Sequence, residues 1–197
     1  WDQACALYLG RPHMESSPYE RAESRAANYG TTANGIARVN LVVVNACATP
    51  SFANYEAILK AIKIIYAQAT IRYAHLLDID FRVSLSNLKH RAEGQAFYRL
   101  IAPMVRATNA ACDDTLDELY NFSKQPDSSK TYYCEAVDCL PNALDLTVTD
   151  IGVLEDTQGV CGGGNSMMDD GNDDSSASAL RVAAALLLSA VAAVFVL

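Results

Sequence analysis

Signatures of catalysis are missing from this chain. It contains no Gly-x-Ser-x-Gly elbow, no phosphate-binding loop, no His-Glu-x-x-His and no dinucleotide fingerprint. Its 3 histidines are scattered, so no Ser/His/Asp triad can be read from them and an enzyme is not expected. Basic residues are also scarce: 15 Lys and Arg stand against 23 Asp and Glu, for a net charge of −8. Without a basic patch, nucleic acid is not an expected partner. No Cys-x-x-Cys occurs and no histidine lies near a cysteine, which argues against a zinc site. Only 1 Trp and 5 Phe accompany 10 Tyr. Tyrosine can pack its ring and keep an oxygen free for a hydrogen bond or a metal.

The C-terminal stretch carries the strongest positional signal. Val182 to Leu197 reads VAAALLLSAVAAVFVL, apolar apart from Ser189. A spanning helix needs about 20 apolar residues, and this run is shorter. Upstream lie Gly171-Asn172-Asp173-Asp174-Ser175-Ser176-Ala177-Ser178. Small residues, a polar spacer and an apolar tail form the pattern for replacement of the tail by a GPI anchor. The expected attachment lies between Gly171 and Ser178, with Ser175 favoured, and a short tail anchor is the alternative. The chain opens at Trp1 and shows no secretory signal, so it reads as a piece of a longer exported protein. The expected location is the extracellular face of the plasma membrane or the periplasmic space.

The cysteines agree with export. Cys5, Cys47, Cys112, Cys134, Cys139 and Cys161 form an even set, which favours bridges over free thiols. Spacing leaves the pairing open, although Cys134 and Cys139 are local partners or near neighbours. Asn121-Phe122-Ser123 is a glycosylation sequon, placing a glycan on Asn121.

The expected organisation is a helical ectodomain over 1–160, an acidic Gly/Ser-rich linker over 161–178 and a removable tail over 179–197. Within the ectodomain, Ala4–Leu9 reads as the end of a short helix. Ser17-Pro18-Tyr19-Glu20 begins another, with Ser as cap and Pro at the first position. Val39 to Ala46 is apolar and β-branched, a buried strand or part of a helix. Ser51 caps a long helix over Phe52–Leu77, whose apolar face recurs at helical spacing. A further helix covers Leu88 through Met104, bent or ended by Pro103. Another starts after Cys112 with Asp113 or Asp114 as cap. Beyond Tyr132 only a turn of helix at Ala143-Leu144 is expected. The fold class is mostly α, a compact helical bundle with disulfide-stapled irregular segments.

A metal site is expected between the two long helices. Tyr73, His75, Asp78 and Asp80 cluster where the first ends, and His90 and Glu93 share a face where the second starts, with Tyr98 further on. Carboxylates and phenolates are hard anionic ligands suited to Fe³⁺. The competing reading makes the aspartates solvated, His90 and Glu93 helix-start residues, and the tyrosines core. Glu20 and Glu23 also share a helical face, with Arg21 and Arg25 as ready salt-bridge partners, and are read as solvated.

Several segments resemble a known family. They include Trp1-Asp2-x-Ala4-x-Ala6-x-Tyr8, Ser17-Pro18-Tyr19-x-x-Ala22-Glu23-x-Arg25-Ala26-Ala27-Asn28-Tyr29-Gly30 and Ile65-Tyr66-x-Gln68-Ala69-Thr70-x-Arg72-Tyr73-Ala74. His90-x-Ala92-Glu93-Gly94-x-Ala96-Phe97-Tyr98-Arg99-x-Ile101-Ala102-Pro103, Tyr132-Tyr133-Cys134 and Thr149-Asp150-Ile151-Gly152 belong to the same set. Together they resemble one repeat of the algal iron-assimilating, low-iron-inducible surface proteins. The resemblance implies capture of iron at the cell surface, with an iron permease or reductase as partner and tandem repeats in larger members. Glu93 and Tyr98 lie inside the matching segments, and Tyr73 and His90 in or beside them. The alternative function is a structural or adhesive GPI-anchored module that binds no metal.

Overall fold

The computed structural model describes residues 1–10, 17–83, 86–155, 157 and 160–161. The linker and tail expectations, including Ser175 and the run from Val182, lie outside the described residues.

Local chemistry sets the first elements. Helix α1 spans Asp2–Leu9, and α2 spans Pro18–Tyr29. Ser17 caps α2 by accepting from the Glu20 N–H at 3.2 Å, Pro18 opens it, and Gly30 ends it at φ 64°. Thr32–Ala33 (β1) and Ile36–Ala37 (β2) pair antiparallel around Asn34 and Gly35, both at positive φ, as a two-residue hairpin turn requires. The apolar run that sequence leaves undecided is helical: α3 spans Arg38–Cys47.

Helix α4, Phe52–Arg82, is the axis of the molecule. Its 31 residues extend about 46 Å. Ser51 caps it as expected, accepting from the Asn54 N–H at 3.1 Å. It outlasts the expected end at Leu77 because Leu77, Asp78 and Asp80 are all buried against other helices. Helix α5, Leu88–Thr108, passes through Pro103 and continues past the expected end at Met104. Proline there removes one backbone bond, and packing of Ile101 and Val105 in the core on either side holds the helix together.

Two helices differ from the sequence expectation. Helix α6 spans Ala110–Tyr120 and is capped by Asn109, whose side chain accepts from the Cys112 N–H at 3.1 Å. Asp113, expected as the cap, is instead buried inside the first turn. Helix α7, Tyr132–Leu144, has 13 residues where one turn was expected. Its own N-cap residue, Thr131, makes no side-chain cap bond. The cap comes from α4: Asp78 accepts from the Tyr132 N–H at 3.1 Å and the Tyr133 N–H at 2.8 Å. A short α8, Val148–Ile151, closes with a Thr147/Asp150 capping box.

Three disulfides tie these elements: Cys5–Cys47 joins α1 to α3, Cys112–Cys139 joins α6 to α7, and Cys134–Cys161 joins α7 to the closing segment. Cys134 and Cys139 are near neighbours but not partners. At about 100° per residue, five steps along α7 leave them facing different sides. The fold is mostly α, with two apolar clusters sharing α4: a larger one against α5, α6 and α7, and a smaller one against α1, α2 and α3.

Candidate functional site

The six predicted ligands fall into three places. Asp80, on the last turn of α4, meets His90, on the first turn of α5, with Oδ2 2.7 Å from Nδ1. Asp80 is buried and His90 half-buried. The Tyr73 ring lies 6.2 Å from the His90 ring. Burial, and then the neighbouring Glu93 carboxylate, push the Tyr73 phenol above its ordinary range. The Asp80–His90 pair thus has the Tyr73 ring beside it, with Glu93 next to Tyr73. The antiparallel α4–α5 connection does this, returning the start of one helix to the end of the other.

Asp78 is not part of that group. Its two oxygens are taken by the first N–H groups of α7. Tyr98 also turns elsewhere. Its hydroxyl donates to Asp113 Oδ1 at 2.5 Å, and Arg106 Nε donates to Asp113 Oδ2 at 2.6 Å. Burial first, then the Asp113 carboxylate, raise the Tyr98 phenol far above its usual value. This Tyr98–Asp113–Arg106 chain lines an open groove of about 540 Å³ between α5 and α6, floored by Ala102, Pro103 and Ala107. Arg106 was not singled out from sequence, and Asp113 was expected only as a helix cap. Asp113 reads as one more carboxylate in an acidic helix, and only the fold points it inward.

The tyrosine surplus is largely structural. Tyr8 donates to Asn40 Oδ1 at 2.6 Å, Tyr29 to the Gln68 carbonyl at 2.7 Å and Tyr120 to the Thr70 carbonyl at 2.6 Å. Tyr132 donates to Glu118 and Tyr133 to Thr157. Each buries a ring and satisfies its oxygen, and burial raises the phenols of Tyr8, Tyr29, Tyr120 and Tyr132.

Glu23 is likewise structural. Its carboxylate accepts from the Ala37 N–H at 3.1 Å and from Asn40 Nδ2 at 2.6 Å, fixing α2 to the β2–α3 junction. Glu20 is exposed. The expected pairing of these glutamates with Arg21 and Arg25 does not form, because Glu23 is already held by backbone and amide donors. No ion pair among the described residues includes either arginine.

Among the described residues, no three His, Cys, Asp or Glu side chains come together so as to hold a metal. Asp80 and His90 therefore stand as a pair, and the Tyr73 ring is the further group beside them. No described helix is long and apolar enough to cross a membrane. The sequon residue Asn121 is half-buried at the end of α6, and its Oδ1 accepts from the Ser123 hydroxyl at 2.5 Å. Compared with family models, curated proteins and solved structures, the chain finds no match in any of the three.

Proposed function

We propose that this chain is an exported, disulfide-stapled surface domain that captures ferric iron at the α4–α5 end, through Tyr73, Asp80, His90 and Glu93. The observation that carries this is the Asp80–His90 pair across the two helices, with the Tyr73 ring 6.2 Å from that of His90 and the Glu93 carboxylate acting on the Tyr73 phenol. Carboxylate and phenolate are hard donors, and iron is the substrate to be passed on to a transport system. Resemblance of the motifs around Tyr73 and Glu93 to iron-assimilating surface proteins supports the same reading. Three disulfides suit an oxidising compartment outside the cytosol. A lipid anchor at Ser175 and a glycan on Asn121 belong to this proposal.

Binding requires Tyr73 to lose a proton that burial and Glu93 hold on it. Capture therefore weakens as pH falls, because metal and proton compete for the same oxygens. Titrating the full chain with ferric citrate tests the proposal. A visible tyrosinate-to-iron band is expected, lost in Tyr73→Phe, weakened in His90→Ala and retained in Tyr98→Phe. Absence of saturable iron binding at neutral pH refutes it.

A second reading, a structural or adhesive surface module, is favoured by one observation. The hydroxyls of Tyr8, Tyr29, Tyr98, Tyr120, Tyr132 and Tyr133, together with the carboxylates of Asp78 and Asp113, are engaged in bonds that hold the fold together. It predicts a fold whose melting temperature is indifferent to iron.

A further inference from the structure

Arginines without counter-ions form a second unusual place. Arg21 and Arg25 lie one turn apart on α2 and so share a face. Helix α4 packs against α2 and contributes Arg72, whose charge acts on Arg25. The Arg21 guanidinium sits over the Phe97 ring at 6.0 Å, and that of Arg72 over the Tyr73 ring at 5.6 Å. The Phe97 and Tyr73 rings stack at 5.6 Å, so the two guanidinium groups are joined by an aromatic pair. Arg25 is 9% exposed, and its Nη1 is buried without any hydrogen-bond partner. None of the three arginines takes part in an ion pair among the described residues. Glu23, on the same helix as Arg21 and Arg25, is held by the Ala37 N–H and the Asn40 amide instead.

Such an arrangement is costly when nothing is bound. A buried guanidinium is normally paired, because leaving it unpaired forfeits its hydration with no compensation. Here burial, and then the neighbouring Arg72 charge, lower the proton affinity of Arg25, with Arg21 adding to the effect. The aromatic rings stabilise Arg21 and Arg72 through their faces, which leaves the N–H edges free for another ligand. Guanidinium forks match the paired oxygens of phosphate and carboxylate.

We infer that Arg21, Arg25 and Arg72 form a binding site for a small multivalent oxyanion, a phosphate or a dicarboxylate, with Arg25 Nη1 as its buried donor. The site lies between α2 and α4 and stands independently of the iron proposal, since it needs no metal.

Calorimetric titration of the chelator-treated full chain, at constant ionic strength in chloride, provides the test. Inorganic phosphate is the probe in one arm and malonate in the other. Saturable binding of either is expected, with a rise of a few degrees in Tm and at least a tenfold loss of affinity in Arg72→Gln and in Arg25→Met. Phosphate alone marks a tetrahedral ligand and malonate alone a dicarboxylate, and either result upholds the site. In the same chloride buffer without phosphate or malonate, Arg25→Met should melt no lower than the parent chain, since it removes an unpaired buried charge. A purely structural Arg25 would give a lower Tm in that variant with or without phosphate. Should Arg25→Met not fold, Arg21→Gln and Arg72→Gln, both at half-buried positions, decide the question. No saturable binding of either anion, or binding that survives the substitutions, overturns the inference.

Discussion

Removing the Asp78 carboxylate should cost this protein the start of α7. Helix α7 has no side-chain cap of its own, and its first two N–H groups are satisfied by Asp78 at 3.1 and 2.8 Å. Hydrogen bonds to a charged acceptor contribute about 1.5–3 kcal/mol each, and loss of a helix cap alone costs about 0.5–2. Allowing for overlap between the two bonds, Asp78→Ala should destabilise by about 3–4 kcal/mol. Asp78→Asn keeps one acceptor oxygen and should cost about half as much. Urea unfolding followed by far-UV circular dichroism measures this as a fall in midpoint at unchanged slope.

The same residue gives a pH signature. Burial raises the Asp78 carboxyl despite the opposing pull of the Tyr133 and Tyr132 N–H groups. The folded state therefore holds this proton more tightly than the unfolded state. The proton-linked part of the stability at Asp78, separate from the cap itself, is full below the ordinary aspartate value and declines as pH rises through the raised one. Asp78→Asn should remove that component of the slope. Equal effects of Ala and Asn, or no effect of either, would refute the remote-cap assignment. Unchanged iron binding in Asp78→Asn is also expected, since Asp78 stands apart from the Tyr73–His90 group.

Three further outcomes are expected. Arg91 donates to the carbonyls of Leu119 at 2.9 Å and of Asn121 and Lys124 at 2.7 Å each, closing the end of α6. Arg91→Lys cannot reproduce this fork and should lower stability by about 2–3 kcal/mol in the same urea assay. At Gly94 an added Cβ would run into the Tyr120 ring. Gly94→Ala should therefore cost about 1–3 kcal/mol by thermal unfolding, despite the better helix propensity of alanine. Glu118 is held below its ordinary value by Lys130 and then by the Tyr132 hydroxyl. Its contribution is present above the ordinary glutamate value and lost as pH falls through the lowered one, so Lys130→Gln should flatten the acid limb of the stability profile.

The sequence alone determined elements whose signals are local. Ser17-Pro18, Gly30 and Ser51 mark helix ends because a cap bonds a backbone group three residues away, within one short segment. The helical period of α4 and α5, and the oxidised even set of cysteines, are legible for the same kind of reason. It also set Asp80 opposite His90, since an antiparallel helix pair joined by a short connection leaves little choice.

Only the tertiary structure decided which side chains were free. Asp78 and Tyr98 sit in the same local pattern as Asp80 and Tyr73. They are engaged by α7 and by Asp113, partners separated from them by 54 and 15 positions in the chain. The length of α7 was hidden because its cap lies on α4, and the pairing of Cys134 with Cys161 because it joins a helix to a distant segment. Arg25 looked like half of a salt bridge with a nearby glutamate until Ala37 and Asn40 were seen to occupy Glu23. Propensity and capping act over a few residues. Competition for one donor or acceptor is settled among groups that only folding brings together.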